Sequence, residues 1–404
     1  MLFKMPNNLG ERYSPLYFLA SVGAGGLVIT FFMYLMFWVP HPGKPVPIFE
    51  DIIAFIGKTD VLGQAMIAIA ILGIAFFTFM NIRLLVWNLL QFKEFKKHGS
   101  FPSHQTSNAQ TQVMAMPLAL AMTVNVGFIV GLVFVPNLWS IVEYLFPLAM
   151  ITFVAIGVLT LRMMASFMGR VLVSGGFSCA ANNSFAQMLP AFAFAMVGVG
   201  LSAPAAMSMS PTIVGTAVVL STFFFITSVV IALPAMFLGL RAMMEHGAAA
   251  ESAPTLLIVV PMLTVLGILI IRQDHGLHVH FQSHNSPGDT LLFLSRLFSV
   301  QVLFGLFGLL ILKRQDYAAQ FILGTRRSAA SYALICPGVA LSVMLHFFIN
   351  KGLVGAHLVD KFSIAYWSLT AVALVFQIAM IRLILRLNAL HFGPYKSTHA
   401  APAE

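Results

Sequence analysis

Charge is what this sequence has least of. Only 9% of its 404 residues are Asp, Glu, Lys or Arg, where a soluble globular domain carries roughly 25%. So few charges exclude a large water-facing surface, and the solvent for most of the chain is expected to be lipid. Cysteine is almost missing as well. Cys179 and Cys336 are the only two, too few for a disulfide framework. No long polar linker divides the chain, so residues 1–404 read as a single transmembrane domain. Enzyme signatures are lacking: there is no G-x-S-x-G, no H-E-x-x-H and no phosphate loop. The reading is therefore a non-enzyme without a cofactor. His346 is the one mid-span histidine, which gives paired haem ligation no support. The N-terminal MLFKMPNNLGERYSP has no small-residue cleavage site after a short apolar core, so the first span is expected to act as its own targeting signal.

What the chain has is apolar bulk: 59% hydrophobic residues, with 37 Phe and 23 Met, and a mean hydropathy of +0.92. A helix needs roughly 20 apolar residues to cross the ~30 Å hydrocarbon layer. Ten stretches qualify, near 14–38, 62–90, 113–135, 141–167, 184–206, 212–240, 253–271, 290–312, 329–350 and 362–386. The fold class is an all-α integral membrane protein. Short connections with turn residues, such as HPGKP at 41–45 and NKGLVG at 350–355, join the spans.

The formal net charge of +9 does not indicate nucleic acid, because the basic residues sit in short loops. Sixteen Lys and Arg, from Lys4 and Arg12 to Arg386 and Lys396, fall at the termini and after even spans. Six fall on the other side: Lys44, Lys58, Arg272, Arg296, Lys351 and Lys361. This bias predicts cytoplasmic termini and a plasma (inner) membrane location. A positive cytoplasmic vestibule would also concentrate anions. Inside the spans, Arg83 and Arg296 are expected to snorkel to an interface.

The prolines repeat. The third, fifth, seventh and ninth spans hold Pro117, Pro190, Pro261 and Pro337, and the first begins at Pro15 and carries SVGAGG at 21–26. An interior proline frees a carbonyl and kinks the axis, which a membrane tolerates beside protein or a watery cavity. The recurrence predicts five helical hairpins, with bent odd helices around a central pore and straighter even helices facing lipid. Asn125 and His346 are the central polar groups. Asn125 reads either as a helix–helix hydrogen bond or as a pore ligand. His346 reads either as a structurally satisfied residue or as a group titrating at the outer mouth. The segment DHGLHVHFQSH at 274–284, with His275, His278, His280 and His284, reads as a loop. It either carries a vestibule that turns cationic in acid or, less favoured, binds a metal.

Several segments resemble the TehA tellurite-resistance and slow-type anion channel family, which includes dicarboxylate and sulfite transporters. SYALICPGVALSV at 331–343 is similar to its W-W-A-Y-T-F-P signature, and APTLLIVVP at 253–261 to its P-x-x-F-I-x-x-A-P stretch. FAQMLPAFAF at 185–194 and SPLYFLASVGAGGL at 14–27 resemble further family stretches. The resemblance implies odd helices lining a largely uncharged pore, an aromatic gate on the ninth helix, and commonly a homotrimer. Where the family has that aromatic, this chain has Cys336. Phe128, Phe192 and Phe194 are then the aromatics available to close the pore. The implied function is passage of a small anion: chloride, nitrate, a sulfur oxyanion, tellurite or a small dicarboxylate. Two alternatives stay open: a proton-coupled exporter of a weak acid or oxyanion, and a membrane anchor subunit of a redox complex.

Overall fold

A computed structural model describes residues 5–7, 9–99, 101–284 and 286–393. Lys4 and Lys396, which entered the charge balance, lie outside them. Among the described residues ten helical spans are long and apolar enough to cross a membrane: α1 Pro15–Trp38, α2 Val61–Lys97, α3 Asn108–Phe134, α4 Val142–Ser174, α5 Ala186–Met207, α6 Pro211–His246, α7 Ala250–Phe281, α8 Pro287–Arg314, α9 Ala329–Val354 and α10 Ile364–Phe392. No strand occurs among the described residues. We call the face where the odd spans begin proximal and the face where they end distal.

Odd and even spans differ sharply in surroundings. At least half of each odd span's most apolar stretch is buried, and all of it in α5; no even span exceeds a third. The packing explains this. Each odd span contacts the next around a closed ring, α1 on α3, α3 on α5, α5 on α7, α7 on α9 and α9 back on α1. The even spans lie outside, each against its preceding odd span and also against a second one. Their outward faces carry exposed Leu, Ile, Val and Phe, as lipid solvation demands. They are also long. The 37 residues of α2 reach about 55 Å at 1.5 Å per residue, well beyond the hydrocarbon layer.

Between apolar helices in lipid, close packing and interhelical hydrogen bonds supply the attraction. The run SVGAGG in α1 provides the first. A Cβ on Gly26 would meet Val339 Cγ1 of α9 at 2.7 Å, and one on Gly23 would meet Ile335 Cγ2 at 2.8 Å. Buried polar side chains provide the second. Asn81 of α2 donates to the Ser21 carbonyl at 2.8 Å while Ser21 donates to the Asn81 carbonyl at 3.0 Å. Ser228 of α6 donates to Ala191 O, Gln301 of α8 to Val260 O, Ser342 of α9 to Ala373 O, and Gln377 of α10 to Thr30 of α1.

The prolines act differently from the sequence expectation. Every odd span opens with a 3₁₀ segment and only then becomes α-helical, at Phe18, Ala115, Leu189, Val259 and Ile335. Pro117, Pro261 and Pro337 are the third residue of their α-helical stretch and Pro190 the second. Each proline sits where the 3₁₀ lead passes into α-helix, a place that its fixed φ fits. These prolines therefore mark the junction from 3₁₀ to α instead of kinking a helix interior. The residue before each α stretch has ψ between −5° and −24°, close to 3₁₀ values. Prolines within continuous α-helix are Pro147 and Pro234, both on outer spans, so the expectation of straighter even helices rested on the wrong set. A serine caps three of the five 3₁₀ segments, and Ser184 lies one residue before the cap of a fourth. The Oγ of Ser14, Ser107, Ser184 and Ser328 accepts from the backbone N–H two residues on.

Candidate functional site: a chamber inside the odd-helix ring

The ring encloses a chamber of about 100 Å³ lined by residues of all five odd spans, among them Gly26, Asn125, Phe192, Thr264, Arg272 and Cys336. Towards the distal face it meets a vestibule of about 470 Å³, with Asn125, Ile29, Ile268 and Arg272 bordering both. Towards the proximal face it narrows to a space of about 10 Å³ between Leu19, Leu189, Thr255 and Ala333. Phe192, Pro261 and Cys336 border both the chamber and this space, so they form the constriction.

The 3₁₀-to-α junctions account for that level. Leu19, Leu189, Ile258 and Cys336 belong to the first α-helical turns of α1, α5, α7 and α9 or cap them, and all four line the narrow space. Four 3₁₀-to-α junctions thus converge on one point.

Arg272 is the charged side chain among those lining the chamber. Its Nη1 donates to the Val199 carbonyl of α5 at 2.8 Å, which fixes the guanidinium at the chamber's distal rim. Hydropathy ends the seventh span at 271 and leaves Arg272 and the histidine segment in a loop. The structure corrects this: α7 continues helically to Phe281 and stops where Gln282 adopts φ 56°. No breaker interrupts Arg272–Phe281, and Gly276 lets the helix run against α5, since a Cβ there would lie 2.2 Å from Ala205 O. His275 and His278 consequently line the vestibule. His278 Nδ1 pairs with Ser283 O and His280 Nε2 with Ser208 O. Among the described residues no cluster of three or more metal-ligating side chains forms.

Of the residues singled out in the sequence, the structure brings Cys336, Pro261, Phe192 and Asn125 to the lumen. Asn125 donates to Ala121 O of its own helix at 3.0 Å, not to a neighbouring helix. Phe128 lines the vestibule. Phe194 does not reach the lumen. It is fully buried on the lipid side of α5, with its ring stacked on Phe224 of α6 at 6.1 Å. Pro117, Pro190 and Pro337 are buried within the ring wall. His346 also departs from expectation. It is fully buried between Tyr34 and Phe37, with ring centroids at 5.0 and 6.4 Å, and lines neither chamber nor vestibule.

Charge gathers at the distal mouth, not only on the proximal side that the residue count favours. Arg272, Lys351, His275 and His278 line the vestibule together with Asp274 and Asp289. Sequence reasoning missed Arg272, Thr264 and Lys351 as site residues. A polar group recurring in register with Pro261, as Thr264 and Arg272 do on one helical face, was the available signal. Comparison of the chain with protein-family models, with curated proteins and with solved structures returns no match.

Proposed function

We propose that the protein is a membrane channel or transporter that passes a small anion along the ring axis, in the manner of the TehA and slow-type anion channel family. The observation that carries this reading is one guanidinium at the rim of an otherwise uncharged chamber built by all five odd spans. A cation buried in a membrane protein is costly and usually marks an ion path. Arg272 attracts the anion at the distal rim. Phe192 takes the part of the aromatic gate that Cys336 leaves open. A chamber of about 100 Å³ suits chloride, nitrate or a single oxyanion such as sulfite or tellurite better than an extended dicarboxylate. The remainder of the reading is an inner-membrane homotrimer with cytoplasmic termini, one pore per subunit and the vestibule open to the outside.

Proton-coupled export is the runner-up, and no Asp or Glu is among the residues lining the chamber. The test is flux through purified protein in liposomes against a panel of anions. Selective permeation that falls at least tenfold in Arg272→Gln supports the proposal. Impermeability to every anion would sink it and favour the role of a membrane anchor subunit.

A further inference from the structure

A second cavity opens beside the vestibule on the distal face, with a volume of about 540 Å³. The C-terminal end of α1, the segment 39–45 and the distal end of α9 form it, and His41, Lys44, Lys351 and Lys361 line it. Met36, Pro45 and Lys351 border both this groove and the vestibule, so the two are continuous.

The four basic side chains are not equivalent. Lys44 is neutralised by Asp51, with Nζ at 2.7 Å from Oδ1 and 3.0 Å from Oδ2. Among the described residues neither Lys351 nor Lys361 forms an ion pair. Yet they act on each other and on His41. Burial first, then the charge of Lys351, pulls the Lys361 ammonium below its ordinary pKa. Burial lowers His41 too, with repulsion from Lys351 and Lys361 adding to it against the raising effects of the Val39 carbonyl and Asp51. Like charges brought together without a counter-charge cost free energy that an anion between them would recover.

The placement is built by backbone features and not by chance exposure. The last turns of α9, Phe348–Val354, are π-helical, a local widening common at functional sites, and Lys351 sits in its middle. The opposite wall carries Pro40, Pro42 and Pro45, whose fixed φ keeps it preformed. His41 Nδ1 is held by the Val39 carbonyl at 2.7 Å, which leaves Nε2 as the free ring nitrogen of that pair.

We propose that this groove is a binding site for a divalent tetrahedral oxyanion of the phosphate or sulfate class, held by Lys351 and Lys361. Two ammonium groups without ion-pair partners match two negative charges. Lysine serves such ligands as a point charge and needs no bidentate geometry. The groove is about five times as large as the chamber, so the anion keeps part of its water shell. The groove opens beside the vestibule of the anion path proposed above and shares Lys351 with it, but binding there does not require transport.

The test uses the full chain purified in an uncharged detergent. Its thermal midpoint is measured in inorganic phosphate and in sodium chloride at matched ionic strength. Phosphate should raise the midpoint by about 2 °C or more at saturation. Lys361→Ala and Lys351→Ala should each abolish the rise, and Arg272→Ala should keep it. An equal response to both salts, or a rise that survives Lys361→Ala, overturns the site. Lys361 lies in an exposed connection, so that variant decides the matter should Lys351→Ala fail to fold. Repeating the measurement in nanodiscs separates the sources of phosphate. A rise in discs of both phosphatidylcholine and phosphatidylglycerol identifies a free anion; a rise in phosphatidylcholine alone identifies the headgroup of an anionic lipid, which already fills the groove in phosphatidylglycerol. Absence of liposome flux with the phosphate response intact would remove the transport reading and leave this site standing.

Discussion

Arg272 and Phe192 carry most of what the chamber can do, and they answer to different substitutions. Arg272→Lys keeps the charge but shortens the reach and removes the fork, so flux should fall only several-fold where Arg272→Gln loses tenfold or more. Phe192→Ala removes the aromatic at the constriction. Single-protein conductance or liposome efflux should rise several-fold, and an unchanged rate would show that the gate lies elsewhere. Cys336→Phe should have the opposite effect, because Cys336 borders both sides of the same narrowing. Cys336 was legible in the sequence because the residue before the ninth-span proline could be read against a family pattern. Arg272 was not. Hydropathy ends a span at the first cluster of polar residues, whereas the backbone hydrogen bonds of α7 continue for as long as no breaker intervenes.

The inner spans behave as elements with two parts, a 3₁₀ lead and an α-helical body. A proline whose fixed φ fits the 3₁₀-to-α junction is accommodated there, so Pro337→Ala or Pro117→Ala should change stability by less than about 1 kcal/mol, far below the ~3 kcal/mol of a mid-helix proline contact. Gly26→Val is the contrasting case. The added carbons would overlap Val339 Cγ1, which lies only 2.7 Å from where a Cβ on Gly26 would sit, and overpacking of this kind costs about 1–3 kcal/mol. Thermal midpoints in detergent check both, and a gain of about 3 kcal/mol in Pro337→Ala would place that proline in a helix interior and restore the kink. The count and the order of the spans were readable from apolar length alone, and so was the alternation of proline. What proline does at each place was not, because the residue type is the same in a first turn and in a helix centre. The backbone alone distinguishes them.

At the scale of the whole molecule, stability should depend on acidity through groups outside the bilayer. His104, in the short helix Phe101–Thr106 on the proximal side, packs edge-on against Phe95 at 5.6 Å, and burial lowers its pKa. The unfolded chain, with histidine near 6.5, then binds protons before the folded protein does. Stability is therefore full above about pH 6.5 and declines as the pH falls below it. His104→Phe should flatten that decline between pH 7 and 5 in thermal melts, and an identical slope in the variant would assign the acid sensitivity to other groups. The ring itself was foreshadowed by alternation along the chain, but its closure was not. The contact between α1 and α9 joins residues as distant in the chain as Gly26 and Val339, and periodicity within a span carries no information about it.

Closure has a topological consequence. Tyr17, at the start of α1, and His391, at the end of α10, meet through a 2.9 Å contact between Oη and Nδ1, so the start of the first span and the end of the last lie side by side. A loop without a beginning tolerates being opened at a different seam. A chain relinked across those ends by a flexible peptide and recut in the proximal connection at 98–107 would start with α3, finish with α2 and wind into the same barrel of helices.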